Sequence, residues 1–408
     1  MIKKNNPHYK WYILFLTMLT YAIVAGAARL CMPVLFKEIA DNLNLNVTAI
    51  GTVWGMDPLA GVFIGLPSGL LADRFGIKRT LTVLCILAGV FGALRGFSTN
   101  FLTMAATMFL FGLMAASAPS IVPKVTAEWF SGKRLGLANG MLNVAWSVGA
   151  MFATQFSATT FSPLLGGWRN VMFLYAVPCV ALGLLWLFTG REPDKVENPE
   201  LLTAKIPFRQ SFSHVIRMKE IWLIGLITLT NWGASMGFVG YLPYYLKIQG
   251  WDSTSADSTI TVMSLMMMLG SIPMVLLSDK LKTRKGVLVV SIGALVVCLA
   301  LLPFVDATGI WILITISGFL RSGAASLFNV MIFEMKGVGS TYGGTAIGLA
   351  STISMIGACV APPIGNSLES INHSLPFIFW ACLAASGIGL LALVKTEKKK
   401  TSPYLQQS

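Results

Sequence analysis

Long apolar segments alternate with short polar ones along almost the whole chain. Each apolar segment has about 18 residues or more, enough for a helix to cross roughly 30 Å of hydrocarbon. Since the bilayer core offers no water to backbone N–H and C=O groups, each segment is expected to be helical. The pattern predicts twelve spans, numbered here in chain order: 11–36, 47–71, 80–97, 101–127, 135–160, 169–190, 220–246, 256–278, 286–304, 309–333, 341–367 and 374–394.

The longest hydrophilic segment lies between the sixth and seventh spans and is rich in charge and proline. We therefore predict an N-terminal six-helix bundle at 1–190, a cytoplasmic linker at 191–219, a C-terminal six-helix bundle at 220–394 and a basic cytoplasmic tail at 395–408.

The two predicted halves carry a sequence repeat. The same spacing of 206 residues separates Gly112 from Gly318 and Glu128 from Glu334. Spans 5 and 11 also share glycines at spacings of four and nine, a pattern that lets helices approach closely and that we expect to join the halves. The predicted fold is an all-α integral membrane protein with twelve transmembrane helices in two pseudo-symmetric six-helix bundles.

Composition agrees with a membrane protein. The chain is 55% hydrophobic and 12% charged with a mean hydropathy of +0.71, whereas soluble domains carry about 25% charged residues. A net charge of +13 in a soluble protein would suggest nucleic-acid binding. Here, however, most Lys and Arg fall in alternate loops, as the positive-inside rule requires of cytoplasmic segments. Four basic residues fall in the opposite, outer loops and helix ends: Lys37, Arg95, Arg169 and Lys247.

This charge distribution predicts a multi-pass protein of the cytoplasmic (inner) membrane with both termini in the cytoplasm. The expected partner is the lipid bilayer, with no nucleic acid, and the chain is expected to be monomeric. The six cysteines lie singly within apolar spans and are interpreted as small core residues. No cluster suggests a catalytic or metal site, so we expect neither an enzyme nor a bound cofactor.

One loop carries a family resemblance. Residues 69–79 read Gly-Leu-Leu-Ala-Asp-Arg-Phe-Gly-Ile-Lys-Arg, and a degraded copy follows at 278–285. The first copy resembles, at each defined position, the G-x-L-A-D-R-x-G-x-K-R loop between helices 2 and 3 of the major facilitator superfamily. The resemblance implies two parallel six-helix repeats, transport by alternating access, and an inner gate. The implied gating residues are Gly69, Asp73, Arg74, Gly76, Lys78, Arg79, Asp279 and Lys280, with Glu128 and Glu334 as ion-pair partners.

Three cations fall inside predicted spans, where each costs at least ~2.5 kcal/mol and usually faces a cavity or a partner. Arg321 lies close to the middle of span 10, and the resemblance places helices 1, 4, 7 and 10 along the central cavity. Arg321 is therefore a candidate substrate contact, with a structural or gating hydrogen bond as the alternative. Lys124 lies near the inner end of span 4 and is expected to extend its ammonium group to the interface.

Arg29 in span 1 and Asp57 in span 2 are predicted at a similar depth. A pair between them would relieve the desolvation cost of both charges. Two interpretations stay open: a structural ion pair, or a transport site in which Arg29 holds an anion while Asp57 takes up a proton. The uncharged candidates for a cavity wall are Asn231, Trp232 and Asn143.

The excess of cations over acids inside the spans favours an anionic cargo. Residues 119–130, followed by Gly136 to Gly140, look like the helix 4–5 region of bacterial anion porters, namely the nitrate/nitrite, cyanate-permease-like and organic anion:cation symporter branches. The resemblance implies a secondary transporter of a small organic anion, preferably a carboxylate, driven by the proton-motive force. Two alternatives remain: a proton antiporter that exports amphipathic compounds or drugs, favoured by the methionines of span 8, and a non-transporting membrane sensor.

Overall fold

The computed structural model describes residues 9–130, 133–192, 208–281, 283–335 and 337–394. All regular secondary structure in these residues is helical, and twelve helices are long and apolar enough to cross a membrane, as the sequence predicts. We number them α1 Tyr9–Leu43, α2 Val47–Phe75, α3 Ile77–Gly96, α4 Phe101–Trp129, α5 Arg134–Leu165, α6 Trp168–Thr189, α7 Lys219–Ile248, α8 Ser253–Leu281, α9 Arg284–Phe304, α10 Ala307–Phe333, α11 Gly339–Ser367 and α12 Leu375–Leu393.

Each half has its own hydrophobic core, one drawn mainly from α1–α6 and the other from α7–α12. The helices pair in the same way in both halves. In the first half α1 packs on α5, α2 on α4 and α3 on α6; in the second half α7 packs on α11, α8 on α10 and α9 on α12. Between the halves, α2 packs on α11 and α5 on α8. The repeat seen in the sequence is therefore a repeat of helix packing.

The glycines shared by α5 and α11 allow close helix packing within each half rather than between the halves. A methyl group at Gly149 would overlap the backbone of Ala22 in α1, and one at Gly357 would overlap the backbone of Leu229 in α7. The expectation that these glycines join the halves is wrong at both positions. Their absent side chains let the equivalent pairs α1–α5 and α7–α11 approach closely.

α1 runs seven residues beyond the predicted end of span 1. Lys37 pairs with Asp41 one turn later at 2.9 Å, and the Glu38 carboxylate accepts a hydrogen bond from the backbone N–H of Trp168 at 2.8 Å. This carboxylate thereby caps the N-terminus of α6. Because polar side chains stabilise this last part of α1 outside the apolar core, hydropathy alone placed the end too early.

The molecule has two ends, which we call the basic face and the opposite face. The basic face carries Arg74, Lys78 and Arg79 in the first half and Arg284 and Lys285 in the second. Hydrogen bonds join the halves on the side of the opposite face: Trp54 Nε1 to the carbonyl of Met236 (3.0 Å), Asn366 Nδ2 to the carbonyl of Val47 (2.9 Å), and Thr154 Oγ1 with Thr261 Oγ1 (2.8 Å).

Toward the basic face, several glycines of the same interface helices have no described neighbour beside them. A methyl group at Gly65 in α2, at Gly136 or Gly140 in α5, or at Gly344 in α11 would meet no described atom of another element within 4 Å. The described hydrogen bonds between the halves are therefore concentrated on the side of the opposite face.

Candidate functional site

Arg321 lies where α10 is interrupted. The helix consists of Ala307–Arg321 and Ala324–Phe333, separated by a turn at Ser322 and Gly323. α4 has the same interruption 206 residues earlier, so the break belongs to the repeat. The positive charge is not part of the repeat, because Ala115 stands at the equivalent position of α4. Arg321 thus occupies the C-terminal end of a helical segment, where the backbone carbonyls carry partial negative charge and stabilise a cation.

The guanidinium of Arg321 is only partly satisfied. Nη2 donates a hydrogen bond to Ser235 Oγ in α7, while Nη1 is buried and has no hydrogen-bond partner in the described part of the chain. Only 8% of the residue is exposed, and no described carboxylate forms an ion pair with it. A buried cation with a free donor is a suitable binding group for an anion.

Asn231 lies one turn before Ser235 on α7 and is also buried. The sequence pattern singled out Asn231 but missed Ser235, because a single serine in an apolar span gives no signal until its partner is known. The neighbouring Trp232 is 40% exposed, and Asn143 is exposed on α5. The described contacts connect neither of these last two side chains to Arg321.

The predicted pairing of Arg29 with Asp57 is present. Arg29 Nη2 forms an ion pair with Asp57 Oδ2, and the carboxyl group is fully buried. Asp57 is held at this depth by close packing of α2 on α4, where a methyl group at Gly112 would lie 2.8 Å from the Asp57 Cα. This pair is neutral as a whole, whereas Arg321 has no carboxylate partner among the described residues.

Arg95 is not at the outer surface as the sequence suggested. It is fully buried, donates from Nη2 to the backbone carbonyl of Ala28 at 3.0 Å, and lies 3.8 Å over the ring of Phe111. For a residue near the end of a span, the sequence does not show whether the side chain extends outward or inward. Here the carbonyl and the aromatic face draw the guanidinium inward.

Lys247 is a second basic residue that the sequence assigned to the outer region. Its ammonium group lies 2.7 Å from Asp257 Oδ1 in α8 and donates to the carbonyl of Val34 in α1 at 2.7 Å. Asp257 is fully buried and only 7% of the Lys247 side chain is exposed. This buried acid was missed because it lies at the second residue of the predicted span 8, where a charge is usually interfacial.

The predicted gate is partly visible. Gly69 lies within α2 and Gly76 ends that helix at φ +85°, but the side chains of Asp73 and Asp279 lie outside the described part. Instead, the linker residue Glu192 caps α3, accepting from the backbone N–H groups of Ile77 (3.2 Å) and Lys78 (2.8 Å).

In the second half, Arg284 at the start of α9 lies 3.7 Å from Glu334 at the end of α10. Arg284, five residues after Asp279, is thus a basic partner of Glu334. The exposed side chains at the same face are Arg74, Arg79, Glu128 and Lys280, and Lys124 in α4 is half-buried.

The chain belongs to the Major Facilitator Superfamily: the family profile matches residues 17–362 and, in a second match, residues 250–407. In fold it is similar to a bacterial homologue of the human lysosomal transporter Spinster in its inward-facing, unoccupied conformation, with a TM-score of 0.71 over 96% of this chain and 95% of that chain. Sequence identity is 16%, so this likeness concerns the fold alone. The match confirms the predicted fold class.

Three relatives are transporters of organic acids by name. GudP of Bacillus subtilis, named a probable galactarate/D-glucarate transporter, is 28% identical over 52% of this chain and 47% of its own length. SauU of Cupriavidus necator, named a probable sulfoacetate transporter, is 23% identical over 90% of both chains. The cis,cis-muconate transport protein of Acinetobacter baylyi is 25% identical over 88% of both chains.

The chain thus spans about half the length of GudP and most of the length of the other two relatives. The family and these relatives are transporters and not enzymes, in agreement with the prediction that the chain is no enzyme. The chain is a multi-pass membrane protein.

Proposed function

We propose that this protein transports a small organic anion with a carboxylate group across the cytoplasmic membrane. One observation carries the proposal: Arg321 is buried near the middle of α10, has no carboxylate partner in the described residues, and keeps one guanidinium nitrogen without a hydrogen-bond partner. Such a cation is expensive in a membrane unless a ligand compensates it. The relatives named for galactarate/D-glucarate, sulfoacetate and muconate support an organic acid as the ligand.

Alternating access would expose this site to each side in turn. The described hydrogen bonds between the halves lie on the side of the opposite face. With the basic face in the cytoplasm, as the positive-inside rule predicts, we assign the structure to a state that is closed toward the outside. An anion that binds Arg321 from the outside requires the contacts at the opposite face to break.

Proton coupling is assigned to Asp57. In the described structure its carboxylate is buried against Arg29, and the pair is neutral. Protonation of Asp57 would remove the counter-charge of Arg29 and leave that guanidinium free to bind the anion. A proton and an anion would then enter the site together, as symport requires, with the proton-motive force as the energy source and no bound cofactor.

Purified protein in proteoliposomes tests the proposal. Uptake of labelled D-glucarate, cis,cis-muconate, sulfoacetate and lactate is measured with and without an inward proton gradient, beside glucose as a neutral control. We expect gradient-stimulated uptake of at least one anion, none of glucose, and loss of uptake in Arg321→Met. Extrusion of cationic dyes without anion uptake would establish the amphipathic exporter instead, and the absence of any transport would favour the sensor.

A further inference from the structure

α1 contains a π-helical segment that ends two residues before Arg29. Residues Tyr21–Ala27 are π-helical, and the backbone N–H of Ala28 donates to the carbonyl of Ile23, five residues earlier. In the second half α7 is one uninterrupted α-helix, so this feature is not part of the repeat. A π-turn accommodates an extra residue, and one residue corresponds to about 100° around a helix. The direction of Arg29 therefore depends on this turn.

Two side chains from other helices bind the backbone at the end of the π-helical segment. Trp146 in α5 donates from Nε1 to the carbonyl of Ala25 at 3.2 Å, and Arg95 in α3 donates from Nη2 to the carbonyl of Ala28 at 3.0 Å. Between these two carbonyls, a methyl group at Gly26 would lie 2.8 Å from the backbone oxygen of Trp146. The segment is thus held from α3 and α5 within four residues of Arg29. We call Arg95 and Trp146 the clamp.

Arg95 is itself held in a fixed position. Its guanidinium carbon lies 3.8 Å from the Phe111 ring centroid, and Nε is 3.4 Å from the carbonyl of Gly92, one turn earlier on the same helix. The residue is fully buried, and Nη1 has no hydrogen-bond partner among the described residues. Apolar side chains would pack α3 on α1 without burying a charge, and an apolar replacement for buried charged groups is often the more stable choice.

We infer that Arg95 is a positioning residue for anion binding: together with Trp146 it fixes the π-turn of α1 and thereby directs Arg29 toward Asp57. This inference rests on the proposed function, in which Arg29 contacts the anion once Asp57 is protonated. Arg95 does not touch the substrate in this account. Its effect passes through the carbonyl of Ala28, the residue next to Arg29.

Three variants separate this role from general packing. Arg95→Met removes the charge and the hydrogen bond, Arg95→Lys keeps a cation over Phe111, and Trp146→Phe removes only the indole hydrogen bond. Trp186→Phe is the matched control, because the Trp186 indole also donates to α1, at Thr20 Oγ1 and 2.9 Å, but before the π-turn. Each variant is purified and reconstituted like the wild type.

Two readouts are taken for each variant. The first is hydrogen–deuterium exchange of the backbone at 21–30, which needs no substrate. The second is the concentration dependence of D-glucarate, cis,cis-muconate and sulfoacetate uptake, using whichever of the three the wild type transports. We expect Trp146→Phe and Arg95→Met to speed exchange at 21–30 about tenfold, the equivalent of one lost hydrogen bond. The KM of these two variants should rise about tenfold, with maximal uptake within twofold of the wild type. Arg95→Lys should return KM close to the wild-type value. Trp186→Phe should change neither readout.

Unchanged KM in both Trp146→Phe and Arg95→Met would overturn the inference. A rise in KM together with a fall in maximal uptake in the control Trp186→Phe would also overturn it. If Arg95→Met does not fold, Trp146→Phe decides alone. If the wild type transports none of the three anions, the proposed function fails for these probes. The exchange measurement then still tests the clamp, and unchanged exchange at 21–30 in Trp146→Phe would refute it.

Discussion

The ion pair between Lys247 and Asp257 is expected to keep the opposite face closed. Lys247 belongs to the second half, yet its ammonium group donates to the carbonyl of Val34 in the first half, 2.7 Å away. The same group neutralises Asp257, which is fully buried. Opening this face must break the bond to Val34 and expose the ion pair to water. Lys247→Met removes both interactions.

The size of the effect follows from the burial of Asp257. Removing one partner of a buried ion pair costs about 3–5 kcal/mol, because the remaining charge is left without compensation. In the open state water reaches the carboxylate, so most of this cost falls on the closed state. Lys247→Met should therefore shift the equilibrium toward an open opposite face by up to about 3–5 kcal/mol, which is a factor of roughly 10² to 10⁴.

Distances between spin labels measure this equilibrium. Leu164 and Ile371 are suitable label sites because each is 75% exposed, and they lie at the opposite face in different halves. Both are changed to cysteine in a variant that lacks the native cysteines. We expect a short distance in the background protein, a dominant longer distance after Lys247→Met, and an intermediate population after Lys247→Met with Asp257→Leu, which leaves no uncompensated charge. An unchanged distance in Lys247→Met would refute the reasoning, as would equal opening in the single and double variants.

Three further predictions concern packing, backbone strain and coupling. Gly149→Ala should lower the melting temperature, because the added methyl group overlaps α1 and overpacking costs about 1–3 kcal/mol. Gly140→Ala on the same helix should leave the melting temperature unchanged. Gly76→Ala should also destabilise, by about 1–3 kcal/mol, because φ +85° with ψ 158° is a backbone conformation that side chains rarely adopt, and a melt equal to that of the wild type would contradict it. Asp57→Asn should make uptake independent of the proton gradient while counterflow exchange persists; loss of the protein from the membrane would instead make the Arg29–Asp57 pair structural.

Hydropathy and the repeat predicted the parts of the fold that depend on transfer to lipid. Twelve spans, the two halves and the pairing of Arg29 with Asp57 could be read from the chain, because adjacent antiparallel helices bring residues of equal depth together. The helix ends were less accurate, as α1 shows, because polar side chains such as Glu38 stabilise turns outside the apolar core.

The sequence could not show where side chains near span ends would point. Arg95 and Asp257 both lie within three residues of a predicted boundary, and both are fully buried in the structure. Their burial depends on partners from other helices, namely the carbonyl of Ala28 and the ammonium group of Lys247. The π-turn before Arg29 is a similar case, since its residues are ordinary apolar ones and only tertiary contacts hold the altered backbone.

The contrast between the two arginines offers the most direct test of the anion site. Arg321→Met removes a buried cation that has no described carboxylate partner, so purified protein should melt at or above the wild-type temperature. Arg29→Met should melt at a lower temperature, because it leaves Asp57 buried without its counter-charge. The decisive measurement is anion uptake by Arg321→Met in proteoliposomes at equal reconstituted protein. We expect a stable protein with no anion uptake. Wild-type uptake, or a loss of stability as large as in Arg29→Met, would contradict it.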